Sequence, residues 1–363
     1  MGKDVFAVVM AGGRGTRFWP QSRRRTPKQV LKIVGKKPLI EQTVGRLRGV
    51  FPDRNIFVVT GRGLKTRIAK HLPYLSRSQT VAEPCGRNSG PCVGLGAILA
   101  QRRHGGDPVV ANFPVDAYVG DDREYQRVIR FALDIARSSD LLITIGIAPT
   151  SPHTGYGYIR RGTRAIESRA GLDCYKVARF FEKPDEKRAL QFVRQGSYFW
   201  NCGIFVWRAS VILDAFKEFQ PRLYRDLLDI RRRLDRQSLH RALSEVYPRI
   251  PKVQVDRGIL EHARNVAVVP AAFPWSDIGS WDERHKLVET DNDDNVFEAK
   301  RVLTIDARGN FVSAPGKLVA MVGVDDLVVV ETDDAILICK RDRAQDVAKV
   351  VQRLEEEDAQ RYL

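Results

Sequence analysis

Between positions 11 and 28 the chain reads AGGRGTRFWPQSRRRTPK, three glycines and six basic residues in eighteen positions. Glycines let backbone N–H groups close on a phosphate chain, and a planar guanidinium takes two phosphate oxygens at once. Two phosphate cradles are excluded by the letters. A Walker loop needs Lys followed by Ser or Thr after its last glycine, and Gly15 is followed by Thr16 and Arg17. A dinucleotide fingerprint needs a third glycine where Phe18 stands. What remains is an apolar run, then Gly-Gly-x-Gly-Thr-Arg, a proline and, eleven residues beyond Arg17, Lys28. The pattern suits a polyphosphate. Taken alone, it suits equally a tight turn with a solvated basic face.

Such a loop needs elements to hold it. Residues 5–145 alternate short apolar runs (VFAVVM, NIFVVTG, QTVAEP, PVVANFP, LLITIGI) with segments of helical period such as KPLIEQTVGRLRGV and YQRVIRFALDIARSS. The alternation predicts a Rossmann-like, doubly wound α/β domain on a mixed, mostly parallel sheet, where ligands bind at the carboxyl ends of strands. AGGRGTR and PVDAYV both begin at such ends. Residues 211–245 read as helical and strongly basic. From 301 to 340 the texture becomes consecutive short strands with turns, and Asp342 is the expected cap of a terminal helix carrying Val347, Val350, Val351 and Leu354 on one face. The expected division is therefore a domain over 1–289 and, over 290–363, a small β-unit with a terminal helix that serves packing or dimerisation.

Composition bounds the rest. With 43% hydrophobic and 29% charged residues the chain is neither disordered nor membrane-spanning, and no run reaches the roughly 18 apolar residues a spanning helix needs. The N-terminus enters a strand without an export signal, and the five cysteines are scattered with no CxxC pair, so a reducing cytoplasm is expected. A net charge of +16 suits nucleic acid, anionic surfaces or phosphorylated substrates. The basic runs 22–28 and 231–236 raise nucleic-acid binding as a rival reading. No nucleic-acid module accompanies them and no aromatics interleave RRRLDR, so neither a nucleic-acid nor a membrane partner is expected.

Seven blocks in order, MAGGRGTRFWPQSRRRTPKQ, EPCGRNSGP, GYGYI, FFEKPD, YFWNCGIFVW, VDRGILE and FPWSDIGSWDE, resemble the sugar-1-phosphate nucleotidyltransferases, and within them most closely the mannose-1-phosphate guanylyltransferases. The strands of 300–345 resemble that family's C-terminal β-unit. The resemblance implies a GT-A-like fold and transfer of a guanylyl group from GTP to mannose 1-phosphate with release of pyrophosphate. A related manno-configured sugar such as a heptose is the alternative, while a catalytically silent homologue is disfavoured because Arg17, Lys28, Asp116, Lys183 and Asp277 are all present.

By that resemblance Arg17 and Lys28 are catalytic, holding the triphosphate and its developing charge. Arg23, Arg24 and Arg25 fall to the rim. The nucleotide is bound by Ala11, Gly12, Gly13, Gly15 and Thr16 and by Glu83, Pro84, Gly86, Arg87 and Asn88. Glu83 as acceptor and Arg87 or Asn88 as donor suit the edge of guanine, while Asn88 or Ser89 as a helix cap is the competing reading. Gly155, Tyr156, Gly157, Glu182, Lys183 and Asn201 resemble the sugar-phosphate side. Asp116 and Asp277 match two metal-binding aspartates, implying Mg2+ or Mn2+. Departures from the pattern are Val115 and Ala117 beside Asp116, Cys202 and Ile204 beside Asn201, and Arg257. A homodimer is implied. The sequence ends too early for the isomerase module of some relatives, which predicts a single activity. Every candidate residue precedes position 282, so the β-unit is expected to serve assembly more than chemistry.

Overall fold

The computed structural model describes residues 4–363. The chain forms two compact units. One comprises the chain up to Gly12, Thr43–Val115 and Val119–Trp275; the other comprises Gly13–Gln42, Asp116–Tyr118 and Ser276–Leu363.

The first unit is built on a nine-stranded sheet in the order Thr80–Glu83, Ile56–Gly61, Val5–Ala11, Val109–Pro114, Tyr198–Arg208, Leu142–Ile147, Val266–Ala271, Leu172–Glu182, Gly157–Arg169. The first four run parallel, and Tyr198–Arg208 enters antiparallel between Val109–Pro114 and Leu142–Ile147. Strand residues three apart face opposite sides of a sheet. Val110 accordingly joins the core shared with helices Ser89–His104, Ala209–Phe219 and Pro221–Arg233. Phe113 instead meets Tyr125 of helix Asp122–Ser138. Helices therefore cover both faces, as the alternation of runs predicts for a mostly parallel α/β sheet.

The second unit contains a four-stranded sheet, Val296–Ile305, Phe311–Val322, Leu327–Thr332 and Ala335–Lys340, in sequence order. Its core is not made by these strands alone. Phe18 and Trp19 of the glycine-loop segment, Ile278 and Trp281 of the SDIGSW segment, and Phe311, Val328 and Val347 form one buried cluster. The Phe18 and Trp281 rings lie 4.9 Å apart, and Trp281 Nε1 donates to the Trp19 carbonyl over 3.1 Å. Compactness thus divides the chain differently from the 1–289 and 290–363 division read along the sequence. The glycine-loop segment packs into the same core as the C-terminal strands.

The terminal helix also starts later than expected. Asp342 lies inside a tight 3-10 turn, Arg341–Asp346, and the α-helix is Val347–Glu356 with no side-chain cap. Val347 and Val351 are buried while Val350 is exposed, so the apolar stripe is narrower than its letters suggest.

Candidate active site

The glycine loop leaves its strand at Ala11, whose carbonyl accepts the Thr60 hydroxyl at 2.9 Å. Gly12 and Gly13 are exposed, a Cβ at either would meet nothing within 4 Å, and the Gly13 carbonyl accepts Gln29 Nε2 at 3.0 Å. Gly15 is different. Its φ is 60°, and a Cβ would stand 2.5 Å from Lys28 Cβ and 2.9 Å from Ser22 Oγ. Glycine is required here both by the left-handed backbone and by the close approach. That approach lays the single turn Thr16–Phe18, which carries Arg17, against the turn Lys28–Val30.

Lys28 is buried, with a side chain 6% exposed. Its ammonium donates to Asp116 Oδ2 at 3.1 Å and to the backbone carbonyl of Asp277 at 2.8 Å. The segment that presents Asp277 is locked from both sides. Ser276 Oγ accepts from Ile278 N at 3.0 Å, and Ser280 caps the helix Trp281–His285. Ile278 is fully buried at φ 44°, a conformation that costs a β-branched residue about 1–3 kcal/mol and persists only where packing imposes it. A Cβ at Gly279 would come within 3.0 and 3.1 Å of the Asp277 carboxylate oxygens and 3.3 Å of Arg17 Nη1. Arg17, Lys28, Asp116 and Asp277, four residues spread over 261 positions, therefore meet within the second unit.

The first unit holds the other candidates in two groups. In EPCGRNSGP, Glu83 is buried and accepts the Tyr247 hydroxyl. Burial pushes its carboxyl up to about 7, with the Tyr247 hydrogen bond working in the opposite direction. Arg87 does not extend into solvent: its Nε donates to the Tyr247 carbonyl at 3.3 Å and its Nη2 to the Pro248 carbonyl. Val253 N donates to the Arg87 carbonyl, Gly90 N to the Val253 carbonyl, and Val255 N to Ser89 Oγ. The loop is therefore clamped onto residues 247–255. Asn88 sits at φ 66° with an exposed side chain that makes no cap hydrogen bond, so neither it nor Ser89 caps the helix through its side chain.

The sugar-side blocks converge through strand register. Gly157 pairs with Glu182, and Tyr158 pairs with Trp200, the neighbour of Asn201. A Cβ at Gly157 would stand 2.8 Å from Glu182 Oε2, so the glycine makes room for that carboxylate. Gly155 N donates to His153 Nδ1, and Tyr156 stacks on His153 and meets Trp200 edge-on. Lys183 turns out at φ 50°, 55% exposed and 3.6 Å from Glu182. Asn201 Oδ1 accepts from Thr144 and Gly203, while its amide donates to Asp256 Oδ1 at 2.7 Å. Burial, and then the neighbouring Glu182, push Asp256 up to about 6.

Tyr247 and Asp256 escaped the sequence reading. Asp256 lies in the VDRGILE block, which is the signal that was available for it; Tyr247 contacts Glu83 across 164 positions and has no local signal. Among the described residues no group of three or more His, Cys, Asp or Glu could hold a metal by itself. Several arginines of the basic runs are paired: Arg23 with Asp334, Arg24 with Glu355, and Arg233 with Asp229 and Glu245. Arg23 is thus half-buried and paired rather than a rim charge.

Residues 6–294 match the Nucleotidyl transferase family. The chain belongs to that family. As a nucleotidyltransferase it also carries, over residues 300–354, a match to the MannoseP isomerase/GMP-like beta-helix domain. It is 34% identical over 361 residues to mannose-1-phosphate guanylyltransferase of Escherichia coli and 33% identical over 361 residues to that of Klebsiella pneumoniae, covering 99% of this chain and 75% of each relative. A solved structure described as mannose-1-phosphate geranyltransferase from Thermus thermophilus superposes with a TM-score of 0.84 at 33% identity, over 97% of this chain and 99% of that one. Among the described residues no helix is long and apolar enough to cross a membrane.

Proposed function

We propose that this nucleotidyltransferase transfers the guanylyl group of GTP to α-D-mannose 1-phosphate, giving GDP-mannose and pyrophosphate. The observation that carries the reading is the convergence of Arg17, Lys28, Asp116 and Asp277 where Gly15 closes on Lys28. The names of the relatives supply the base and the sugar.

In this reading a phosphate oxygen of the sugar phosphate attacks the α-phosphorus. The new P–O bond forms as the bond to the bridging oxygen breaks, and the electron pair leaves with pyrophosphate. Two anions must meet while charge builds on the leaving group, so positioned cations matter more than a general base. Arg17 grips the triphosphate at two points, and Lys28 offers a buried ammonium, fixed by Asp116 and the Asp277 carbonyl. Ala11, Gly12, Gly13, Gly15 and Thr16 line the phosphate path, and Pro84, Gly86 and Asn88 border the base. Asn88, exposed and uncommitted to a cap, reads the guanine edge in preference to Arg87, whose guanidinium is spent on two carbonyls. Lys183 takes the sugar phosphate; Glu182 and Asn201, with Gly155, Tyr156 and Gly157, shape the sugar side.

Two carboxylates on segments anchored by one lysine suit a hard divalent ion that completes its shell with substrate phosphates. Asp116 and Asp277 would hold Mg2+ or Mn2+, which when bound neutralises triphosphate charge. The five unbridged cysteines support a reducing, cytoplasmic setting. Exposed Leu303, Ile305, Leu318 and Val322 support a homodimer: Ile305 pairs with Val322 and Leu303 with Ala320, so the apolar residues share one sheet face. Light scattering at micromolar concentration should give twice the chain mass; a strict monomer contradicts the dimer.

Pyrophosphate release, measured across a grid of nucleoside triphosphates and sugar 1-phosphates with and without EDTA, tests the function. GTP with mannose 1-phosphate should stand out, and EDTA should abolish the signal. Preference for a heptose 1-phosphate would move the sugar assignment alone.

A further inference from the structure

The arginines of the glycine loop are held from the far end of the chain. Arg14 pairs with Glu355, Arg17 Nη1 donates to Gln345 Oε1 at 2.8 Å, and Arg23 grips Asp334 and Thr332. Arg24 reaches Glu355 at 3.1 Å, and Trp19 Nε1 donates to the Tyr362 carbonyl at 2.8 Å. All these partners lie in one compact unit. They separate into two kinds. Glu355 and Asp334 meet their arginines as ions, which anchors the loop. Gln345 meets Arg17 as a neutral acceptor.

That difference matters for a residue that must also grip a triphosphate. A carboxylate in place of Gln345 would add to the negative charge that Asp277 already brings near Arg17, and would compete with the phosphates. A side-chain carbonyl orients the fork and leaves its charge in place. Gln345 and Arg17 are both exposed, but the turn that carries Gln345 is well founded. That turn, Arg341–Asp346, buries Ala344 and is braced by Arg341, whose Nε donates to Asp282 Oδ1 at 3.0 Å and whose Nη1 donates to the Gly309 carbonyl at 2.9 Å. Asp282 lies on the helix that follows the Asp277 segment. One turn therefore ties together the segments that carry Arg17 and Asp277.

We propose that Gln345, from the C-terminal β-unit, is a positioning residue for nucleotidyl transfer, holding the Arg17 guanidinium in the orientation that meets the triphosphate. The proposal rests on the reading that Arg17 grips the triphosphate, and the test separates the two. In the full-length chain, Gln345→Ala, Arg17→Ala and the double variant are compared for kcat, for KM of GTP and of mannose 1-phosphate, for GTP affinity by calorimetry and for Tm.

Gln345→Ala should lower kcat/KM for GTP about tenfold, the worth of one oriented hydrogen bond to a charged group, with KM for mannose 1-phosphate and Tm unchanged. In the Arg17→Ala background it should cost nothing further, in turnover or in GTP affinity. Losses that multiply independently in the double variant overturn the inference and leave the role of Arg17 standing. Near-normal turnover of Arg17→Ala overturns the role of Arg17 itself. Glu355→Gln serves as the contrast, because it loosens the loop without touching Arg17. If it reproduces the same GTP-specific loss and the same coupling to Arg17, the effect is general loop anchorage and the assignment to Gln345 fails.

Discussion

Lys28 Nζ donates to the backbone carbonyl of Asp277 across 2.8 Å, a bond that does not need the Asp277 carboxylate. The two side chains can therefore be tested separately. Lys28→Ala should lower turnover by roughly 10²–10³-fold, because it removes a preorganised charge and strands Asp116 and a carbonyl. Asp277→Asn leaves the lysine anchor intact. It should keep Tm and raise the Mg2+ concentration for half-maximal rate, and an unchanged metal titration would remove Asp277 from the metal's ligands.

Gly15→Ala should be costly although it adds one methyl group. The backbone at φ 60° disfavours alanine by about 1–2 kcal/mol, and the new Cβ would lie 2.5 Å from Lys28 Cβ. A scanning-calorimetry Tm lowered by about 5 °C, together with lost turnover, is the expected result. At Gly12, where a Cβ meets nothing within 4 Å, alanine should leave Tm unchanged and weaken GTP binding instead.

Glu83 carries a pH signature. Burial raises its carboxyl from an ordinary 4.5 to about 7, so the folded chain holds this proton more tightly than the unfolded chain does. Its contribution to stability is fully present below pH 4.5, declines as pH rises to about 7, and is constant above that, a change on the order of 3 kcal/mol. Glu83→Gln removes the titration. Comparing Tm of the two proteins between pH 4.5 and 8 should show the wild type losing stability relative to the variant across that window. Parallel profiles would mean that Glu83 is not a buried acid.

The alternation of apolar runs and helical periods was enough to read the sheet, because strands such as Val5–Ala11 and Val109–Pro114 are buried on both faces and stay apolar throughout. The resemblance names Arg17 and Lys28 together, and Gly15 lays their two turns side by side. What lay beyond reach was long-range pairing. Gln345 stands 328 positions from Arg17, and Tyr247 stands 164 from Glu83, so no local pattern names either partner. Arg87 has contacts that its place in the chain does not announce. Its place in EPCGRNSGP suggests a base contact, yet the carbonyls of Tyr247 and Pro248 take its guanidinium. The late start of the terminal helix has a local cause: Arg341 and Asp346 hold a tight turn over the residues in which a cap at Asp342 would begin the helix.

The choice of nucleotide tests the account most directly. A site that hydrogen-bonds the edge of guanine loses those bonds when another base enters, and such mismatches lower specificity. With mannose 1-phosphate as acceptor, kcat/KM for GTP should exceed that for ATP, UTP and dTTP by at least about 10²-fold. Asn88→Ala should narrow that gap, and Lys28→Ala should slow all four nucleotides alike. If the wild-type chain uses UTP or dTTP as well as GTP, the guanylyl assignment is contradicted.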